Sequence, residues 1–319
     1  MKSIYLVADH NRTQIMINLK KTNIGILCGG WSNEREISLQ SGLTSYNCLK
    51  ENNYNVFFLD LKENSKEILS KFLRENSITL VFNLIHGTGG EDGLIQSYLD
   101  ALMIKYVGSN EKSSRDSFNK IITKNIWVKN GLPTPDYLIL EQEVTYKEIV
   151  NKLGNNFIVK PIKSGSSVDI EIINSQADYE KYISNKKILS EYFAEHLVEG
   201  NEYTAPVISD EIFPIVQIET NRKFYDYYAK YIDENTIFTF PNFEEKDLIN
   251  IQKIVKEAFS STGCQGWGRV DFFVDNQKKI ELIEVNSIPG MTDHSLVPMS
   301  ANKNNLNFIE LLEKILTHP

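Results

Sequence analysis

Between Asn23 and Val107, short apolar runs alternate with longer stretches of helical periodicity. That alternation constrains the chain more than any other feature. Residues 24–28, Ile-Gly-Ile-Leu-Cys, form an apolar run ending in Gly29-Gly30. Residues 37–52 predict a helix, 56–59 a strand, 66–75 a helix, 79–85 a strand, 94–102 a short helix and 104–107 a short strand. Strands and helices at this spacing build βαβ units around a mostly parallel, doubly wound sheet. In such sheets ligands bind beyond the carboxyl ends of the strands. Two glycine-rich turns lie there: Gly29-Gly30 and His86-Gly87-Thr88-Gly89-Gly90-Glu91-Asp92-Gly93.

The pattern then changes. Residues 113–130 predict one helix, and Gly131-Leu132-Pro133-Thr134-Pro135 a stiff turn. Strands are expected at 157–160, 169–173, 188–191, 202–208, 212–219, 266–274 and 279–285, with helices at 146–153, 178–184, 244–261 and 307–316. Such hairpin-like succession is an α+β arrangement with antiparallel character.

Composition narrows the function classes. The 319 residues are 41% hydrophobic and 24% charged, which suits a folded globular protein. Lys and Arg number 34 against 42 Asp and Glu, for a net charge of −8. That excludes a general nucleic-acid binder but not a local basic pocket for phosphates. No apolar run approaches the roughly 18–20 residues needed to cross a bilayer, so no membrane partner is expected. Asp9, His10, Asn11 and Arg12 interrupt the only short apolar stretch near the start, which excludes a signal peptide. Cys28, Cys48 and Cys264 are odd in number and widely spaced, which fits a reducing cytoplasm. Met16 precedes Ile17-Asn18-Leu19-Lys20-Lys21 as a fresh protein start does, so Met16 is expected to be the initiator and the segment before it a dispensable extension.

Chemistry-bearing residues cluster near the end. Glu284 and Asn286 are two apart on a strand and point to one face. An adjacent antiparallel strand carrying Asp271 brings a third oxygen donor beside them. Two carboxylates and an amide suit a hard cation such as Mg²⁺ that keeps water and phosphate oxygens as its other ligands; alone, the pattern also suits a solvated acidic strand edge. Arg269 shares the strand face of Asp271 and needs an anionic partner, as a reacting carboxyl or phosphoryl group supplies. Lys160 ends an apolar strand before Lys163-Ser164-Gly165-Ser166-Ser167-Val168, a small-residue loop able to turn its N–H groups onto a phosphate, or equally a flexible turn. Neither a Walker A order nor a Gly-x-Gly-x-x-Gly fingerprint is present, which disfavours a dinucleotide-dependent dehydrogenase. The aromatic stretch Phe224-Tyr225-Asp226-Tyr227-Tyr228-Ala229-Lys230-Tyr231 suits a water-excluding lid with a phosphate-reaching lysine, or a surface hairpin.

Taken together, these segments resemble the D-alanine–D-alanine ligases of the ATP-grasp superfamily. The resemblance runs from Asn23 to the C-terminus through Asn33-Glu34-Arg35-Glu36-Ile37-Ser38, His86-Gly87, Gly90-Glu91-Asp92-Gly93, Gly165-Ser166-Ser167-Val168, the lid stretch, Gly266-Trp267-Gly268-Arg269 and Pro289-Gly290-Met291-Thr292 with His294-Ser295-Leu296-Val297-Pro298. It implies an N-terminal α/β domain over 23–110 after an extension over 1–22, a central ATP-grasp lobe over 111–201 and a C-terminal catalytic lobe over 202–319. It implies ATP as co-substrate, two Mg²⁺ or Mn²⁺ ions, D-alanine as donor and acceptor, a cytoplasmic location and a homodimer. By resemblance Asp271, Glu284 and Asn286 hold the metals; Lys120, Lys160, Lys230 and Ser166 meet the nucleotide phosphates; Glu195 lies at the adenine and Glu202 at the ribose. Glu34 takes the ammonium of the first D-alanine with His86 nearby, Arg269 and the Gly290 N–H form the oxyanion site, and Ser295 with the Leu296 amide holds the second D-alanine. Glu34, Ser166 and Tyr231 match a triad that ties the lid shut, and Tyr231 matches the dipeptide-forming type.

Some positions depart from the pattern. Asp169 stands at a usual glycine, Tyr228 at a usual glutamate and Leu197 at a usual tryptophan. Counting forward from the strand puts Glu191, not Glu195, at the adenine. The departures leave two rivals: a ligase using D-serine or D-lactate as acceptor, and a catalytically silent nucleotide-binding paralogue.

Overall fold

A computed structural model of the chain describes residues 18–141, 144–166, 169–222, 228, 233 and 235–317. Met16, Ser167, Val168, Lys230, Tyr231 and most of the expected lid lie outside the described residues.

The N-terminal sheet consists of β1 (Ile24–Gly29), β2 (Val56–Leu61), β3 (Leu80–Asn83) and β4 (Lys105–Tyr106), all parallel in the order β2-β1-β3-β4. Helices α1 (Arg35–Glu51), α2 (Lys66–Glu75) and α3 (Leu94–Ala101) connect them. Alternate residues of β1 feed two cores. Ile24 and Ile26 pack with Leu49, Leu80 and Phe82, whereas Leu27 packs with Leu69, Leu73, Ile95 and Leu99. A strand buried on both faces reads as the continuous apolar run seen in the sequence. Leu19, from the segment read as an extension, is buried in the first of these cores.

The helix expected over 113–130 is two helices, α4 (Glu111–Phe118) and α5 (Lys120–Lys129). Asn119 between them is extended, with φ −90° and ψ 102°, and its side chain accepts from the N–H groups of Ile121 and Ile122, both at 3.1 Å. The backbone N–H of Lys120 is drawn instead to the carbonyl of Ile162, at 3.0 Å. A tertiary hydrogen bond thus interrupts a locally helical sequence.

The central sheet has β5 (Tyr137–Ile139), β6 (Phe157–Pro161), β7 (Glu171–Ile173) and β8 (Tyr192–His196), antiparallel in the order β5-β8-β6-β7. Helices α6 (Tyr146–Leu153) and α7 (Gln176–Ser184) cover one face. The strand expected at 188–191 is a 3-10 turn, Leu189–Glu191, and β8 begins one residue later. Burial explains the shift: Ile188 stays on the surface while Phe193 and Ala194 are fully buried.

The C-terminal sheet has β9 (Gly200–Ile208), β10 (Glu211–Ile212), β11 (Val216–Glu219), β12 (Ile237–Thr239), β13 (Trp267–Asp275) and β14 (Ile280–Asn286), in the order β12-β11-β9-β13-β14 with β10 beside β9. Ser209 and Asp210, both at positive φ, make the tight β9–β10 turn. The strand expected over 212–219 is divided at Pro214, which has no N–H to donate to a ladder. Helix α8 (Glu245–Ser261) packs Ile251, Val255, Ala258 and Phe259 against this sheet. Two helices follow: α9 (Leu296–Lys303), unforeseen in the sequence, and α10 (Phe308–Leu316). Both return to the N-terminal core, where Val297, Ala301, Leu311, Leu312 and Ile315 are buried with Ile24 and Ile26. Among the described residues no helix is long and apolar enough to cross a membrane.

Candidate active site

Loops from all three sheets converge on a cavity of about 640 Å³. Its N-terminal wall begins at the Gly29-Gly30 turn. Gly30 has φ +80°, and a Cβ there would lie 2.7 Å from Ile85 Cγ2, so only glycine allows the chain to reverse here. The reversal places Glu34 at the start of α1, buried in the cavity wall. Ser166, 132 residues later, donates its hydroxyl to Glu34 Oε1. Gly165 permits that contact, because a Cβ on it would sit 2.5 Å from Glu34 Oε2.

His86 is buried at the end of the segment leaving β3. Its Nδ1 lies 2.8 Å from the carbonyl oxygen of Ile288, which can only accept, so Nδ1 carries the proton. Nε2 then accepts from Ser41 Oγ at 3.1 Å, and Ser41 Oγ accepts from the Met291 N–H at 3.0 Å. This chain ties residues 288–291 to α1. Burial lowers the His86 pKa from its ordinary value and keeps the ring neutral, with Glu34 opposing. Glu91, from the glycine-rich run after β3, also lines the cavity. It accepts from the Gly87 N–H at 3.0 Å, and burial, then the charge of Glu34, pushes its carboxyl up to about 8. The signal for it was the density of acids and glycines in that run.

Across the cavity, one face of the C-terminal sheet packs against α8 and the other turns inward. Asp271 faces Glu284, and Arg269 faces Asn286, in the β13–β14 register. Arg269 grips Asp271 through Nε at 2.8 Å and Nη2 at 2.7 Å, while Thr204 Oγ1 donates to the same carboxylate at 2.5 Å. Lys120 Nζ lies 3.0 Å from Glu284 Oε2 and donates to the Ser164 carbonyl at 2.7 Å. Each carboxylate therefore has a protein cation beside it. Among the described residues no three His, Cys, Asp or Glu side chains gather as a metal site, so a cation here relies on the Asn286 amide and on oxygens from its ligands. The hard oxygens of Glu284 and Asn286 border the cavity and fit Mg²⁺ or Mn²⁺ on those terms, whereas Asp271 would join them only by releasing Arg269, which holds both of its oxygens. At the far rim, Ser295 Oγ accepts from the Thr292 N–H at 2.9 Å and caps the turn that leads into α9, whose N-terminal residue Leu296 borders the cavity beside Gly290.

Lys160, Glu195 and Glu202 lie outside that lining. In the central sheet Phe157, Val159 and Ala194 face the core beneath α6 and α7, so Lys160 and Glu195 face the opposite way. Glu195 is fully buried and ion-paired through one oxygen to Lys160 and through the other to Lys124. Burial pushes its carboxyl up, but the two ammonium groups outweigh this and hold it below the ordinary carboxylate range. Glu191 ends the preceding 3-10 turn on the surface. Glu202 lies opposite Phe273 in the β9–β13 register. The carboxylate of Asp169 points away from the cavity: it pairs with Lys186 and accepts from the Tyr192 hydroxyl at 2.7 Å, while its carbonyl accepts from Tyr182 at 2.7 Å.

Thus Glu34, His86, Lys120, Ser166, Arg269, Glu284, Asn286, Gly290, Ser295 and Leu296 border one cavity. Asp271 stands directly behind Arg269, and Lys160 with Glu195 forms a separate buried pair.

The comparisons with known proteins agree with this architecture. The family model described as "D-ala D-ala ligase C-terminus" matches residues 126–317. The D-alanine–D-alanine ligase of Glaesserella parasuis is 38% identical over 303 residues, covering 94% of this chain and 99% of that protein. The one from Saccharophagus degradans is 37% identical over 300 residues, covering 91% and 92%. Among solved structures, the Bacillus anthracis D-alanine–D-alanine ligase complexed with ATP superposes with a TM-score of 0.79 at 28% identity, covering 92% of this chain and 96% of that one. The VanG D-Ala:D-Ser ligase of Enterococcus faecalis superposes with a TM-score of 0.76 at 25% identity, covering 92% and 98%. With its parallel α/β sheet, its two antiparallel sheets and this degree of identity over nearly its whole length, the chain belongs to the D-alanine–D-alanine ligase family of the ATP-grasp superfamily.

Proposed function

We infer that this chain joins two D-alanine molecules to D-alanyl-D-alanine at the expense of ATP, releasing ADP and phosphate, for peptidoglycan precursor synthesis. The observation that carries the reading is the convergence of Glu34, Ser166, Arg269, Glu284, Asn286 and Ser295 from distant parts of the sequence on one cavity.

The reacting groups are mostly anionic, so the site has to offset repulsion. A carboxylate oxygen of the first D-alanine attacks the γ-phosphorus of ATP, the bond to the β-phosphate oxygen breaks, and ADP leaves. The amine of the second D-alanine attacks the carbonyl carbon of the resulting acyl phosphate. The tetrahedral intermediate loses phosphate and a proton to give the dipeptide. We assign Glu34 to the ammonium of the first D-alanine, with neutral His86 setting the wall behind it. Arg269 and the Gly290 N–H receive the developing oxyanion, and Ser295 with the Leu296 N–H receives the carboxylate of the second D-alanine. Lys120, Lys160 and Ser166 meet the nucleotide phosphates, as does Lys230, with Glu195 at the base and Glu202 at the ribose. Asp271, Glu284 and Asn286 would hold two Mg²⁺ or Mn²⁺ ions, whose charge neutralises phosphate oxygens when bound. Glu34 bonded to Ser166, together with Tyr231, closes the site against water, which an acyl phosphate requires.

The domain division at 22/23, 110/111 and 201/202, the homodimer and the cytoplasmic location belong to this reading and rest on the family resemblance. The test is to incubate the purified protein with ATP, Mg²⁺ and D-alanine, following phosphate release and product mass. D-Alanyl-D-alanine forming in step with phosphate is the expected result. Dipeptide absent with D-alanine, but a mixed product formed with D-serine or D-lactate, overturns the acceptor assignment. ATP binding without phosphate release overturns the enzyme reading.

A further inference from the structure

Among the described residues Lys124 is the largest charged side chain sealed inside the protein, with 1% of its surface exposed. It lies one turn beyond Lys120 on α5 and so shares its face. Lys120 stops at the cavity wall, whereas Lys124 runs into the junction between the central and C-terminal sheets. Its ammonium donates to Thr134 Oγ1 at 2.6 Å, pairs with Glu195 Oε1 and lies 5.6 Å from the centre of the Tyr137 ring. Thr134 in turn donates to the Leu282 carbonyl of β14 at 2.8 Å, and the Leu282 N–H donates to the Pro133 carbonyl at 3.0 Å. One ammonium therefore links α5, the segment entering the central sheet, β14 and β8.

A buried ammonium is costly unless it is paired, so this position has to be explained by its partners. Glu195 would already be neutralised by Lys160 alone. Two ammonium groups on one carboxylate hold both of its oxygens and fix its plane. Lys160 then shares Glu195 rather than being fully satisfied by it, and keeps donors for another acceptor.

We propose that Lys124 is a positioning residue for nucleotide binding: it holds one oxygen of Glu195 and, through Thr134, the carbonyl of Leu282, and so sets Lys160 and Glu195 in register with the C-terminal sheet. This rests on the assignment of Lys160 and Glu195 to the nucleotide. Lys124 itself touches neither ATP nor D-alanine.

The test uses the full chain with Lys124→Met, Lys124→Arg and Thr134→Val, and with Lys160→Met and Glu195→Gln as references. KM for ATP, KM for D-alanine and kcat are measured separately, because a merely structural defect lowers active enzyme without splitting them. Loss of a charge-assisted contact of this kind corresponds to about a tenfold change. Lys124→Met is expected to raise KM for ATP by about that factor, with kcat and KM for D-alanine within about threefold, and Lys124→Arg to recover part of it. Thr134→Val, which keeps the buried charge, is expected to shift KM for ATP in the same direction by a smaller factor, and it decides the matter if Lys124→Met does not fold. An unchanged KM for ATP in the Lys124 and Thr134 variants, with Lys160→Met raising it, overturns the inference. An unchanged KM in Lys160→Met and Glu195→Gln as well overturns the nucleotide assignment, and the inference with it.

Discussion

Arg269 and Asp271 lie two apart on β13, and in the structure the guanidinium spends two hydrogen bonds on that carboxylate. The pair holds Arg269 at the cavity wall, as its proposed oxyanion role requires. Arg269→Ala is therefore expected to lower kcat by about 10²–10³-fold, as loss of an oxyanion donor does, while ATP binding measured by calorimetry changes little. A loss of ATP affinity matching the loss of kcat sinks that role. His86 carries a pH prediction. Its folded pKa lies below the ordinary value of 6.5, so the unfolded chain takes up a proton that the folded one refuses. Its contribution to stability is complete above about 6.5 and is lost as pH falls through the folded value. Urea midpoints for the native chain should fall with acid in that window, and His86→Gln should flatten this part of the profile. At the same scale Asp169 shows how a departure is absorbed: Lys186 and Tyr192 turn its carboxylate away from the cavity.

Among the elements, the break between α4 and α5 has the clearest consequence. Asn119 caps α5 and puts Lys120 at its first position, with its N–H on the Ile162 carbonyl. Replacing this cap with alanine is expected to cost about 1 kcal/mol in denaturant unfolding. The same variant should raise KM for ATP, because the Lys120 ammonium is aimed by that turn. Unchanged stability would mean the Ile162 contact alone holds the break. The sheets behave in a simpler way. Alternation along β6, β8 and β13 sends Phe157, Val159, Ala194, Val270 and Phe272 to the helix-covered faces and Lys160, Glu195, Arg269 and Asp271 to the opposite ones, where Ile158 and Phe193 are buried beside Lys160 and Glu195.

For the molecule as a whole, closure comes from the C-terminus. Helix α10 buries Leu311, Leu312, Ile315 and Leu316 in the N-terminal core, and Glu313 accepts from the Tyr54 hydroxyl. The N-terminal domain is thus completed by residues nearly 300 positions away. The Ser41–His86–Ile288 chain ties the same two parts together at the cavity. Leu312→Ala should cost about 2–5 kcal/mol, the range for a large-to-small change in a packed core. Unfolding followed by a probe in the N-terminal domain should show that loss in full. A loss confined to local melting of α10, with the N-terminal transition unmoved, contradicts the shared core.

The parallel α/β start and the antiparallel remainder were legible in the sequence, as was a set of candidate residues that the structure brings to one cavity. Apolar periodicity reports burial directly, and motif residues such as Glu34, Ser166 and Arg269 come with their own spacing. The family followed from the order of those motifs. What tertiary structure decided were features settled by partners far along the chain. The 3-10 turn before β8 follows from which side chain becomes buried, Phe193 rather than Ile188. The split at Asn119 follows from a hydrogen bond to Ile162. The pairing of Lys124 with Glu195 joins residues whose local sequence gives no sign of each other. The return of α9 and α10 to the first domain is of the same kind, because an amphipathic helix records that it has an apolar face but not which surface will cover it.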